Sequence, residues 1–464
     1  MARSVKQYGA IGDGIADDTA AFTVAFRSGR EVTIPTGTYR ITGTVLVTSG
    51  TKILGEGSGS HIVADPGFVG TTVIRLVGAT CNNVVLRDFR MSMGNLDKLA
   101  VQIGNTGVVT NNTLVENLIV TGTAGVGEGI RATWTTNNLE ISSCRVRGFR
   151  KGININCGNG GSTGIKIHHN RIDTCSVYGI QLVHADGQSD VYFDVSINDN
   201  TVLGMDGDIA PIEPSGCTDI RIFRNFVAGG SRGISTANLR DFKIYENHIV
   251  NQTIYSFELN AARDGAIYNN HSRNTNQLVS FSAAAFGMHD NVRITGNTIT
   301  DCVLGENSSL ITMAVAPTTN IQIDNNVFND ITSPFSSACI LHTGNNASNS
   351  NILFEKNTYF ASRPDSIVRL VNALWADQVK VYDNTVIVTR DTPSRDDSVV
   401  KTNTGSSAPG SVNIEQNQFY FLGARGAGFT LYNTPPTVEA RSNKMLGGVD
   451  WLGIDDKINV PDKP

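Results

Sequence analysis

The chain has 464 residues, of which 47 are glycine and only 17% are charged, with a formal net charge of −5. No basic run accompanies that balance, which excludes a nucleic-acid partner, and no apolar stretch approaches the roughly 18 residues of a membrane span. The seven cysteines are scattered and odd in number, so they read as buried thiols and not as a disulfide framework; no clustered Cys/His spacing points to a metal, and no cofactor is expected.

Residues 1–50 predict a cap. The opening MARSVKQYGAIGDG holds no apolar core, so no cleaved export signal is expected. Asp17 or Asp18 is placed to N-cap a short helix in DTAAFTVAFR, whose Phe22 and Phe26 recur at i,i+4 on one face. After Gly29 the run VTIPTGTYRI reads as strand, turn and strand. A helix laid over the first coil would cover a sheet end otherwise free to pair with another chain. VKQYGAIGDGIADDTAAF (5–22) followed by VTIPTGTY (32–39) resembles the opening of the pectate-lyase-like superfamily. That group includes pectate lyases, polygalacturonases, alginate epimerases and the depolymerase domains of phage tailspikes. The resemblance implies a β-helix fold and, with it, a polysaccharide ligand, but fold alone does not choose a reaction. The acidic trio Asp13, Asp17 and Asp18 is read as part of the cap.

Residues 51–446 repeat one phrase: apolar, any, apolar, any, any, Asn. It appears as IKIHHN ending at Asn170, VSINDN at Asn200, IRIFRN at Asn225, FKIYEN at Asn247 and VRITGN at Asn297. IQIDNN, ILFEKN, VKVYDN, VNIEQN and VEARSN follow, closing at Asn326, Asn357, Asn384, Asn417 and Asn443. Asp88, Asn117, Cys144 and Asn270 are taken as poorer copies of the same place. Gaps run from 22 residues (Asn225 to Asn247) to 33 (Asn384 to Asn417). One short alternating strand per repeat at that period predicts an all-β, right-handed, single-stranded parallel β-helix with a short N-terminal capping helix. The asparagines are read as a stacked amide ladder at a turn, since Asn tolerates the left-handed region.

A second strand follows most anchors and often opens with Gly: GIRATW (129–134), GININ (152–156), GIQLVH (179–184), GIST (233–236), SFELN (256–260), and later LITM, CILH, SIVRLV (366–371) and GFTLY. Alternation puts Arg131, Asn154, Gln181, Ser235 and Glu258 in one outward column, a polar face suited to a polymer. The insertion RDTPSRDD (390–397) is read as solvated surface. Residues 447–464 leave the repeat and are expected to cover the last coil or a neighbouring subunit.

Glycoside hydrolysis needs two carboxyl groups, about 5–5.5 Å apart for retention or about 6.5–9.5 Å for inversion. Stacked coils offer roughly 4.8 Å or twice that. The richest neighbourhood holds His184 and Asp186, then Asp206, Asp208 and Glu213 in a coil that Pro211 and Pro214 are expected to break into a surface loop, then Glu258. Asp208, Glu213, Glu258, Asp186 and His184 are the catalytic candidates. Arg131, Arg232, Arg263 and Asp206 are candidate substrate anchors, and Trp134 could stack on a sugar ring. Each acid alone could equally be solvated surface.

The sequence lacks the polygalacturonase set NTD, DD and GHG and the epimerase DPHE; MDGD (205–208) is a faint echo of calcium-type lyases. What is left is most similar to phage tailspikes. That resemblance implies a homotrimer on the virion tail that binds and hydrolyses a bacterial surface polysaccharide, with no membrane insertion. Two alternatives stay open: a lyase or epimerase on a uronate polymer, with His184 or a Tyr as base and an Arg as neutraliser, and a carbohydrate-binding solenoid without catalysis. A secreted bacterial protein with its export segment removed is the alternative to a virion location.

Overall fold

The computed structural model describes residues 2–446 except 158–160, 185–190, 206–209, 283–286, 306–307, 314–315, 336–337, 344–348, 368, 374–375, 390–399, 403–410, 423–429 and 432–437. The tail at 447–464 and the insertion at 390–397 therefore lie outside the described residues, as do Asp186, Asp206 and Asp208. The described residues are strand and turn but for one α-helix, Thr19–Phe26, and two short 3-10 turns. They form two compact units, Met1–Ser231 and Arg232–Pro464. Each unit is a parallel β-solenoid in which a strand pairs with its equivalent one coil on, as Leu139 with Ile165 and then Val195 in the first unit, and Ile267 with Ile294 and then Ile323 in the second.

In the first unit the helix lays Phe22 and Phe26 inward, both fully buried, with the Phe22 ring 5.2 Å from Phe26 and 5.1 Å from Tyr39. The acidic trio is structural. Asp18 stands at the N-cap position, but its side chain makes no cap bond; it accepts from the Ile11 and Gly12 amides at 2.7 and 3.2 Å. Asp17 does the capping instead, accepting from the Thr19 amide at 3.0 Å and the Thr42 hydroxyl at 2.7 Å. Asp13 accepts from the Ile15 and Ala16 amides at 2.8 Å each, which holds its carboxyl below the usual range.

The interior is filled by like residues stacked on like. Ile130, Ile153, Ile180 and Ile212 share one file of the first unit, all fully buried. Burying a side chain of this kind contributes roughly 1.5–3 kcal/mol. This repeated burial, with no growth of the cross-section, is how a solenoid holds a long chain on a thin core.

The asparagine ladder is present in each unit, with one correction. In the first, Asn170 donates from its amide nitrogens to Asn200 Oδ1 (3.0 Å each), Asn200 does the same to Asn225, and the Cys144 amide donates to Asn170 Oδ1 at 2.9 Å. In the second the file runs from Asn247 through Asn270, Asn297, Asn326, Asn357, Asn384 and Asn417 to Asn443. The left-handed residue is not the ladder Asn but the one before it: His169, Asp199, Arg224, Glu246, Asn269 and Lys356 have φ of 51–56°, and Gly296, before Asn297, has 64°. Asp88 (φ 62°) and Asn117 (φ 52°) hold that turn position, one residue short of the ladder, whose place in those coils goes to buried Phe89 and Leu118. A non-glycine there costs about 1–2 kcal/mol. The buried amide, bonded on every side, offsets it.

Two strand expectations also change. Pro211 and Pro214 do not break their coil: Ala210–Phe223 is continuous strand, with Ile212 opposite Ile180 and Pro214 opposite Leu182. A fixed φ near −65° is compatible with extended backbone, and each proline forfeits a single ladder donor. In the second unit the strand expected over 366–371 begins only at Val371, as Val371–Ala373, because 362–366 is a turn gathered onto Asp330.

Candidate functional site

The outward column of the first unit runs Arg75, Gln102, Arg131, Asn154, Gln181, Glu213 in register on successive coils. Beside it runs a second file, Glu128, Lys151, Tyr178. Each of these three directly precedes a strand-opening glycine. A Cβ at Gly152 would stand 2.7 Å from the Gly179 carbonyl oxygen and 2.7 Å from Ile172 Cγ2, so the glycine occupies the crowded inner side and its predecessor faces out.

The two files interlock through hydrogen bonds. Glu128, with only 4% of its side chain exposed, lies 3.8 Å from Arg131 Nη1 and 3.5 Å from Arg150 Nη2. It accepts from Asn154 Nδ2 at 2.9 Å. Lys151 Nζ donates to Gln181 Oε1 at 2.7 Å, and Gln181 Nε2 donates onward to Glu213 Oε1 at 2.9 Å. At the other end Arg75 Nε and the Thr72 hydroxyl both donate to Gln102 Oε1, at 3.0 and 2.9 Å. Burial pushes the Lys151 ammonium below its ordinary range; Arg150 and Arg131 push the same way, while Glu128 and Glu213 oppose them. Arg131 Nε and Asn154 Oδ1, on adjacent coils, are covered atoms with no hydrogen-bond partner among the described residues, and such leftovers call for an ordered water or a ligand group. The face thus carries the cations Arg131, Arg150 and Lys151 around one sequestered carboxylate, and a second carboxylate, Glu213, at its far end.

Trp134 follows the strand Glu128–Thr133 directly, partly exposed and at φ 69°, its amide donating to the Asn156 carbonyl at 3.1 Å. Left-handed geometry is costly for so bulky a residue, so the turn holds the indole at the edge of this face. His184 ends the strand Tyr178–His184, opposite Cys157.

In the second unit Glu258 sits between Ser235 and Ser280 on the equivalent column, which continues to Thr312, His342 and Asn372. It accepts from Ser235 Oγ at 2.7 Å and pairs with Arg232 Nε at 2.8 Å, with 14% of its side chain exposed. Arg232 and Glu258 are therefore brought together. Arg263 is not: it follows the left-handed bend at Ala261 (φ 55°), in register with Arg240 and Asp290, and bonds the Met288 carbonyl at 3.5 Å.

Glu128, Arg150, Lys151 and Tyr178 escaped the sequence reading. For Glu128, Lys151 and Tyr178 the signal was present as the residue preceding each strand-opening glycine, but reading the strands from the glycine onward left it out; Arg150 carries no such mark. Among the described residues no three His, Cys, Asp or Glu side chains cluster as metal ligands would.

Residues 2–206 match the family described as "Rhamnogalacturonase A/epimerase, pectate lyase-like". The pre-neck appendage protein of Bacillus phage B103 is 26% identical over 249 residues, covering 51% of this chain and 25% of that protein. The corresponding protein of Bacillus phage phi29 is 26% identical over 195 residues, 36% of this chain and 21% of that one. The chain spans a quarter or less of the length of these curated relatives. The solved tailspike protein gp49 of Pseudomonas phage LKA1 has a TM-score of 0.48 at 13% identity, covering 96% of this chain and 84% of that one.

Proposed function

Since residues 2–206 are pectate-lyase-like, we propose that the protein binds a bacterial surface polysaccharide along the outward face of its first unit and cleaves it by glycoside hydrolysis, as part of a phage virion appendage. The observation that carries this reading is the file Arg131, Asn154, Gln181, Glu213, in register on successive coils and tied to the neighbouring file through Glu128 and Lys151. Asn154 and Gln181 are themselves buried, 1% and 3% exposed, and fix in place the partly exposed Arg131, Lys151, Tyr178 and Glu213, a row spaced at the strand repeat of about 4.8 Å that a chain of sugar hydroxyls can follow. Arg131, Arg150 and Lys151 outnumber Glu128 and Glu213, so the face favours a polymer bearing acidic sugars. Trp134 lends an apolar ring at the edge for a pyranose face to rest on.

For the reaction, Glu213 supplies one carboxyl of the pair; Asp186, Asp208 and His184 remain the candidates for its partner, with Asp206 as a further anchor, while Glu258 with Arg232 is a separate candidate within the second unit. Glu128 is a positioning residue, since its charge is already met by Arg131, Arg150 and Asn154. A second reading, β-elimination on a uronate, is favoured by one observation: Lys151 is an amine shifted toward neutrality beside two guanidinium groups, the combination a base and its carboxylate neutralisers would need.

The experiment is product analysis on a panel of capsular and O-antigen polysaccharides. New reducing ends without the ultraviolet absorbance of an unsaturated uronate support hydrolysis. That absorbance, abolished by Lys151→Met and kept by Glu213→Gln, replaces it with elimination. Tight binding with intact polymer leaves a binding solenoid.

A further inference from the structure

The second unit holds a crevice that the reading above does not use. It has a volume of about 570 Å³, within the range of roughly 300–1,000 Å³ typical of ligand sites, and Asn251, Arg273, Asn274, Asp301, Val303 and Arg363 line it. Three of these are left-handed corner residues on successive coils, Asn251 (φ 61°), Asn274 (φ 52°) and Asp301 (φ 56°), each following a short strand in register with the next. The corner is therefore a regular wall of short polar side chains.

Arg363 closes the crevice from a distance. It belongs to the turn at 362–366, and Asp330 fixes that turn by accepting from the Ser362 amide (2.7 Å) and hydroxyl (2.8 Å), the Arg363 amide (3.2 Å) and the Ser366 hydroxyl (3.1 Å). From there the guanidinium reaches back to Asp301 Oδ1, while Arg273 Nε donates to Asp301 Oδ2 at 3.1 Å. One carboxylate thus holds two guanidinium groups, and each arginine side chain is still more than half exposed. The Asn274 amide donates to Asn251 Oδ1 at 2.7 Å, which fixes which end of each amide faces outward. Val303, 55% exposed, supplies an apolar side.

We infer that this crevice is a holding site for neutral sugar residues of a glycan, apart from the face on the first unit. The charges of Arg273 and Arg363 are balanced by Asp301 and Asp330, so the crevice does not demand an anion. What it offers is planar donors and acceptors side by side, from guanidinium, carboxylate and amide, with a small aliphatic patch. That matches a pyranose ring, whose equatorial hydroxyls donate and accept together and whose C–H face is apolar. Placement of Arg363 by a pinned turn means that ordering costs little on binding. The assignment rests on the crevice's own chemistry and stands whether or not the first unit cleaves anything.

The test is hydrogen–deuterium exchange on the full chain with neutral hexasaccharides (maltohexaose, cellohexaose, mannohexaose) and, separately, an acidic one (a hyaluronan hexasaccharide). At least one neutral probe is expected to slow exchange in peptides covering 273–276, 301–304 and 362–366. Arg273→Ala and Val303→Trp are each expected to weaken that protection at least tenfold while leaving any polymer cleavage unchanged. Val303→Trp fills the crevice from an exposed position and so does not depend on a change to the core. Protection by the acidic probe alone, protection that survives both substitutions, or no protection by any probe overturns the inference. Cleavage without protection here defeats this site only; protection here without cleavage defeats only the catalytic reading.

Discussion

Asn297 shows what one residue contributes to the coil. Its amide donates to Asn326 Oδ1 and the Ile267 carbonyl at 2.9 Å each, and its oxygen accepts both nitrogens of Asn270 at 3.0 Å. Asn297→Ala leaves several buried groups unpaired at about 1–3 kcal/mol each, so urea unfolding is expected to show a loss of about 3 kcal/mol or more. Asn111→Ala, in the half-exposed outer amide file from Asn82 to Asn137, is expected to lose about 1 kcal/mol by the same measurement. His289 gives a pH signature. Fully buried, it accepts from the Ala262 amide at 3.2 Å and faces the Ser282 carbonyl at 3.2 Å, and burial lowers its pKa from 6.5 to about 4. The unfolded imidazole takes a proton below pH 6.5 and the folded one does not until about 4. Its contribution is therefore complete above pH 6.5 and is lost as pH falls to about 4, by about 3 kcal/mol. Denaturation followed across that window is expected to show this slope, and His289→Gln to remove it.

At the scale of the element, the cap and the outward strand are the parts to perturb. Phe22→Ala is expected to cost about 3–5 kcal/mol, seen as a lowered midpoint in thermal unfolding with the strand signal otherwise unchanged. Glu128→Ala would leave Arg131, Arg150 and Asn154 without their shared acceptor. Breaking a buried pair costs about 3–5 kcal/mol, less here because Arg150 is half exposed, so a loss of about 2 kcal/mol is expected in urea unfolding, together with weaker glycan binding. Much at this scale was legible in the sequence. The apolar-x-apolar spacing before Asn170 or Asn326 fixes the inward face, because alternation leaves no other arrangement that buries both residues. The left-handed turn was not legible: His169, Arg224, Glu246 and Lys356 share that conformation without sharing a side-chain chemistry. Nor was the proline-bearing strand at 210–223, since the coils on its flanks override the local penalty of Pro211 and Pro214. Glu128 was hidden for a third reason. Its role comes from meeting Arg150 and Asn154 across a coil, a juxtaposition that depends on register and not on any local motif.

For the whole molecule, the repeat predicted one kind of architecture, and each compact unit is built on it. The proposed homotrimer follows from the tailspike resemblance; light scattering on the purified chain is expected to give three times the monomer mass of 49.7 kDa, and a monomer would remove that part of the proposal. The outward face of the first unit is proposed to carry the glycan. The most direct measurement is a crystal structure of the Glu213→Gln protein with an oligosaccharide from a polysaccharide it binds. Sugar rings are expected along the partly exposed Arg131, Lys151 and Tyr178, with a glycosidic oxygen next to residue 213. Rings bound only on other faces of the first unit, with this row of side chains bare, would contradict it.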